Sequence, residues 1–138
     1  MPKTILIVED EPDARRILGD ILTNRGYEVA GAASGQEALE KVDKEKPDLV
    51  LVDTKLPDMD GIEVCRQIKN IEGLFTKVII YTGYIDAVDV TKARLAGADD
   101  YEVKTEDFAK LLSAIEKVFL RERERERGKK RVRGKAGE

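Results

Sequence analysis

Glu9, Asp10 and Glu11 follow the apolar run Ile5 to Val8 with no spacer. The same abruptness recurs at Asp53 after Leu49 to Val52, at Thr82-Gly83 after Val78 to Tyr81, and at Lys104 after Tyr101 to Val103. One charged residue closing an apolar run is ordinary loop punctuation. Acid, acid, hydroxyl and ammonium closing four of five runs form a chemical set. Glu9, Asp10 and Asp53 gathered in one pocket repel one another unless a cation sits among them. With oxygen donors only, that cation is a hard one such as Mg²⁺, which keeps several waters and can hold a phosphoryl oxygen. A carboxylate beside a dication and a fixed ammonium is suited to attack phosphorus, giving an aspartyl-phosphate. The metal and Lys104 would balance the charge that develops on the phosphoryl oxygens, with Thr82 donating a hydrogen bond.

The composition narrows the chemistry further. The 138 residues contain no histidine and one cysteine, Cys65. That excludes Ser-His-Asp and Cys-His nucleophiles, His-ligated metals and a disulfide framework. Cys65 falls on a helical apolar stripe and reads as core. The first apolar run is too short for a signal peptide, and none approaches the ~18 residues of a membrane span, so the expectation is a soluble cytoplasmic chain.

Short aliphatic runs alternating with segments of helical period predict an α/β fold with a parallel sheet covered on both faces. The expected strands are Ile5 to Val8, Tyr27 to Ala32, Leu49 to Val52, Val78 to Tyr81 and Tyr101 to Val103. Three of these runs are continuous rather than alternating, as in strands buried on both faces. Ala14, Ile17, Leu18, Ile21 and Leu22 form one face of a first helix that opens at Pro12 and closes at Gly26. Ser34 to Glu37 reads as a capping box for the second, with Ala38, Leu39 and Val42 inward. Ile62, Cys65 and Ile68 mark the third, and Ala87, Val90, Ala93 and Leu95 the fourth. Phe108, Leu111, Leu112, Ile115, Val118 and Phe119 give the fifth the clearest stripe. Asp58, Asp60, Asp99 and Asp100 read as turn residues beside Gly61 or Gly97.

Residues 121–138 carry nine of the 25 basic residues and four of the 28 acidic ones, so a body near −8 bears a tail near +5. Residues 1–120 are read as one domain. Opposite charges at i,i+3 in the tail, such as Arg121 with Glu124, extend the fifth helix to Gly128 and leave the remainder disordered. Nucleic-acid contact is not expected of the tail, which lacks aromatics for base stacking.

Four segments together resemble the receiver domain of bacterial two-component response regulators, of the chemotaxis-regulator type. They are Ile5-Leu6-Ile7-Val8-Glu9-Asp10-Glu11-Pro12, Leu49 to Gly61 with its Asp53-Thr54-Lys55-Leu56-Pro57 core, Val78-Ile79-Ile80-Tyr81-Thr82-Gly83, and Gly97 to Lys104. The resemblance spans residues 1–120 and implies a flavodoxin-like, doubly wound fold of five strands, order 2-1-3-4-5, with five helices. It implies Asp53 as phosphoacceptor, with a histidine kinase or phosphotransfer protein as donor. It makes Asp10, Asp53 and the Lys55 carbonyl Mg²⁺ ligands, with Glu9 acting through water, Lys104 the phosphate-sensing ammonium, and Thr82 with Tyr101 the switch pair. The fourth-helix, fifth-strand and fifth-helix face would then engage an unnamed output partner or a second copy of the chain. Lys55 and Tyr84, two past the acceptor and two past the threonine, would tune the lifetime of the phosphorylated state and make it long.

The chain departs from the family at Thr105, where proline in a cis bond is usual, and Thr105 reads as a cap of the fifth helix instead. On residues alone Tyr101 is equally an edge-strand aromatic. Two other functions stay open: a receiver-like binding module that takes no phosphate, and an aspartyl-phosphate phosphatase. Such a phosphatase typically needs a second carboxylate two residues past the nucleophile, where this chain has Lys55. The expected protein is a signalling switch rather than an enzyme, catalysing only its own phosphotransfer and dephosphorylation.

Overall fold

Parallel strands alternate with helices in a computed structural model that describes residues 1–83, 86–105 and 107–136, with side chains as far as 128. β1 (Thr4–Val8), β2 (Glu28–Ala32), β3 (Leu49–Val52), β4 (Lys77–Thr82) and β5 (Asp100–Val103) pair in the order β2-β1-β3-β4-β5. This is the doubly wound order implied by the resemblance. The registers Val8↔Val52 and Val52↔Ile80 bring the carboxyl ends of β1 and β3 level, and β4 and β5, paired at Thr82↔Val103, run two residues further on the same side. The residues that follow those strands therefore meet.

β1, β3 and β4 are buried almost throughout, as their unbroken aliphatic runs require. Leu6, Val8, Val50, Val52, Val78 and Ile80 form a core with Ala38 and Val42 of α2 (Gly35–Glu45), Val64, Cys65 and Ile68 of α3 (Gly61–Lys69), and Ala93 of α4 (Ala87–Leu95). On the opposite face α1 (Pro12–Asn24) buries Leu18 and Leu22. Ile17 of the same predicted stripe is 47% exposed, and Leu95, one of the apolar residues that mark the fourth helix, is 83% exposed. α4 buries only Ala93, so its sparse apolar residues do not mark a buried face.

Each helix start has a local cause. Pro12 sits in the first turn of α1, where Glu11 accepts from Asp13 N and Ala14 N at 3.1 and 2.6 Å. At α2, Ser34 Oγ accepts from Glu37 N, while Glu37 reaches back to Ala33 N rather than to the cap residue itself. Gly26, at φ +92°, lets the chain leave α1 through the left-handed region. At the outer strand β2, Lys41 Nζ donates to Gly31 O, and the Arg15 side chain crosses Gly31 where a Cβ would stand 2.9 Å from its Cδ.

The chain divides into two compact units, Met1–Glu106 and Asp107–Glu138. The second is built on α5 (Ala109–Ala136), whose Leu111, Leu112, Ala114, Ile115, Val118 and Phe119 are buried. Its first turn is satisfied by Asp107, which accepts from Ala109 N at 2.9 Å. Thr105 lies four residues ahead of the helix. The helix does not stop at Gly128: one glycine costs about 1 kcal/mol against alanine, and the flanking Arg and Lys are good helix formers. Among the described residues no helix is long and apolar enough to cross a membrane.

Candidate functional site

The carboxyl ends of β1, β3 and β5 deliver three charges to one point. Lys104 Nζ donates to Glu9 Oε2 at 2.7 Å and to Asp53 Oδ2 at 2.6 Å. The two carboxylate side chains are only 11% and 12% exposed, and the ammonium lies 5.7 Å from the centre of the Tyr81 ring. That distance is within the range of a cation–π contact. The Lys104–Thr105 peptide is trans, and Lys104 reaches both acids from it.

The backbone under the site is pinned. Glu9 N–H donates to Ala32 O at 3.0 Å, Asp53 N–H to Val8 O at 3.1 Å and Lys104 N–H to Thr82 O at 2.6 Å. Glu9 O accepts from Arg15 Nη1 at 2.6 Å. Asp53 Oδ1 accepts from Lys55 N–H at 3.2 Å, and the loop then returns so that Gly61 N–H donates to Thr54 O at 2.9 Å.

Sharing one ammonium splits the two acids. Burial pushes the Glu9 carboxyl above its ordinary range; Lys104 pulls it back and Asp53 adds to the rise. Burial also raises Asp53, but hydrogen bonds from Lys104 and Glu9 outweigh it, and Asp53 stays below its usual value. Lys104 is lowered by burial and raised further by its two carboxylate partners, so its charge is secure. One positive charge against two negative ones, with oxygen donors only, fits the binding of a hard dication. Among the described residues no three His, Cys, Asp or Glu side chains gather closely enough to hold a metal by themselves. Asp10 is exposed.

The other expected site residues fall in different surroundings. Thr82 is 2% exposed, and its Oγ1 lies 2.9 Å from Thr54 Oγ1. Tyr101 is half-buried against the β-sheet core and helps line a cavity of about 260 Å³ with Val90, Ala93, Arg94 and Asp99. Burial, then Asp89 and Asp86, raise its phenol above the ordinary range. The Lys55 side chain is exposed, and Tyr84 lies outside the described residues.

Two aspartates expected in turns are long-range ties. Asp99 binds Lys69 Nζ at 2.7 Å and Val78 N–H at 2.8 Å. Asp58 accepts from Gly35 N and Gln36 N at 2.8 and 2.9 Å, fastening the loop that starts at Asp53 to the first turn of α2. Asp60 caps α3 through Ile62 N–H. The two α2 amides hold the Asp58 carboxyl below its usual range. Its stabilisation is therefore present above the ordinary carboxylate pKa and lost as pH falls through the depressed folded value. Asp58→Ala is expected to lower the urea midpoint at neutral pH and to converge with the wild type as pH falls below the depressed folded value. A gap that is the same at both ends of a pH series would refute this tie.

Sequence reasoning missed Thr54, Arg15 and the Tyr81 ring as neighbours of the site. Only Thr54 left a signal: two residues past Val52, it falls opposite Thr82 when the β3–β4 register is extended.

Comparison with known proteins fits this geometry. Residues 5–116 match the response regulator receiver domain family. The chain is 40% identical over 119 residues to the chemotaxis protein CheY of Thermotoga maritima, covering 86% of this chain and 98% of that one. It is 39% identical over 123 residues to the transcriptional regulatory protein AfsQ1 of Streptomyces coelicolor, covering 89% of this chain but only 53% of the regulator. The chain thus spans about half the length of that relative. The crystal structure of the response regulator TrrA from Thermotoga maritima in complex with Mg²⁺-BeF superposes with a TM-score of 0.76 at 36% identity, over 83% of this chain and 97% of that one. With two acids held on one ammonium at the carboxyl ends of a 2-1-3-4-5 sheet, and with that family matched along most of its length, the chain belongs to the response regulator receiver domains of two-component systems.

Proposed function

We propose that this receiver accepts a phosphoryl group on Asp53 from a histidine kinase or phosphotransfer protein and passes the signal on by changing its affinity for a partner. The convergence of Asp53 and Glu9 on Lys104 Nζ supports this reading most directly. An Asp53 carboxylate oxygen attacks phosphorus; the O–P bond forms, the P–N bond of the donor phosphohistidine breaks, and the leaving imidazole takes up a proton. The depressed pKa of Asp53 keeps it ionised for that attack.

Glu9, Asp10, Asp53 and the Lys55 carbonyl would hold Mg²⁺, which when bound supplies positive charge opposite the phosphoryl oxygens. Lys104 exchanges a carboxylate partner for a phosphoryl oxygen, and Thr82 donates a hydrogen bond to another. Thr82 and Tyr101 then act as the switch pair, with the surface of α4 and β5 as the face that changes. Lys55 and Tyr84, two past the acceptor and two past the threonine in sequence, would set how long the phosphoryl group survives. The protein catalyses only its own phosphorylation and dephosphorylation.

Incubation with acetyl phosphate and Mg²⁺, followed by intact mass and peptide mapping, tests the reading. The expected result is a gain of one phosphoryl group on Asp53, absent in Asp53→Ala. No gain, or a phosphoryl group on Asp58 or Asp60, would overturn it. Multiple turnover on small phosphate esters would instead support an aspartyl-phosphate phosphatase.

A further inference from the structure

Thr54 follows the proposed phosphoacceptor, and its Oγ1 lies 2.9 Å from Thr82 Oγ1. Both backbones are anchored. Thr54 O accepts from Gly61 N–H, and Thr82 is held in the β4–β5 ladder with its carbonyl on Lys104 N–H. The contact is therefore made or broken by side-chain rotation alone. Thr82 is 2% exposed, so its hydroxyl has no bulk water to turn to, whereas Thr54 is only partly buried and can re-pair with solvent.

We infer that Thr54 is a positioning residue that acts through Thr82: it holds the Thr82 hydroxyl, and a phosphoryl group on Asp53 must compete for it. The inference rests on Asp53 being the phosphoacceptor and adds a determinant of how readily the acceptor site engages phosphate. A hydroxyl has one proton to donate. Either hydroxyl can be the donor in the threonine contact; whichever it is, rotation of the Thr82 side chain to bring its proton to a phosphoryl oxygen carries Oγ1 away from Thr54, so the threonine pair stabilises only the state without phosphate. Removing the Thr54 hydroxyl should then favour the phosphoryl-bound state by about three- to tenfold, the net worth of one hydrogen bond.

Beryllofluoride with Mg²⁺ serves as the phosphoryl probe, its dissociation constant measured by isothermal titration on the full chain. Thr54→Val, which keeps the branched shape, is expected to bind about three- to tenfold more tightly than wild type. Thr54→Ser should return the affinity to the wild-type value, and in a Thr82→Ala background Thr54→Val should have no effect. Thr54→Ala repeats the test without the added methyl group and should tighten binding as the valine does. Unchanged or weaker binding in both Thr54→Val and Thr54→Ala, or tightening that survives the loss of Thr82, overturns the role of Thr54. A wild-type chain that binds no beryllofluoride overturns the phosphoacceptor reading, and the inference with it; where the wild type binds, failure of the Thr54 variants to tighten counts against Thr54 alone.

Discussion

Gly61→Ala is expected to destabilise the protein by about 3 kcal/mol or more, at the upper end of what overpacking costs. A Cβ on Gly61 would stand 1.9 Å from Asp53 O, 2.7 Å from Asp53 C and 3.0 Å from Thr54 Cα. All three are backbone atoms, so no side chain can swing aside. The requirement is steric rather than conformational, since Gly61 is not among the positive-φ residues. Relief means moving either the start of α3 or the backbone of Asp53, which is pinned by its N–H on Val8 O. The same shift carries the Asp53 carboxylate away from Lys104, so stability and phosphorylation should fall together. Gly19→Ala is the matched control: its Cβ meets nothing nearer than 3.7 Å inside α1, and it should stabilise by up to about 1 kcal/mol. Urea unfolding of the pair decides the matter. A Gly61→Ala midpoint that matches wild type would show that the loop yields freely.

Lys104→Ala should reverse the sign of Asp53's contribution to the acid-range pH dependence and add to that of Glu9, whose folded pKa is already raised. In the wild type the folded pKa of Asp53 is depressed, so its contribution to stability is present above the ordinary carboxylate pKa and lost as pH falls through the folded value. Without the ammonium, Glu9 and Asp53 face each other with little solvent, and both folded pKa values rise. Their contribution is then greatest at low pH and is lost as pH increases through the carboxylate range. Removing one partner of a buried pair costs about 3–5 kcal/mol; with Lys104 29% exposed, about 2 kcal/mol is expected at neutral pH. The deficit should shrink on acidification and on addition of Mg²⁺. Urea midpoints across the acid range check this, and a curve parallel to that of wild type would mean that the ammonium does not compensate the acids. Some phosphorylation of Asp53 should persist in the variant while the accompanying change in amide exchange on α4 is lost.

The sequence was most legible where burial leaves no choice. Ile5 to Val8, Leu49 to Val52 and Val78 to Tyr81 are apolar without interruption because both faces are covered, and the chemistry sits immediately after each. α4 was legible as a helix but not as a face, because Ala87, Val90, Ala93 and Leu95 follow helical spacing without all being buried. The long-range roles of Asp58 and Asp99 were hidden for another reason. Each stands beside a glycine in a polar loop, where a turn is the economical reading, and only the fold reveals which backbone amides come within reach.

The lysine that reaches from α2 to Gly31 has a consequence for how copies of the protein meet. β2 bonds β1 through its alternate residues: Glu28 N–H donates to Lys3 O, and Ala32 O accepts from Glu9 N–H. Val29 and Gly31 therefore turn their amides and carbonyls outward, along one free margin of the sheet. An unpaired margin of this kind is a template for another chain. Here the Gly31 acceptor is already taken by Lys41, whose side chain lies where an added strand would dock. At the other margin, Asp100 and Glu102 put two negative charges on a strand of four residues. A second copy approaching either margin meets charged side chains beside the backbone it would pair with, which works against the sheet growing strand by strand into an aggregate.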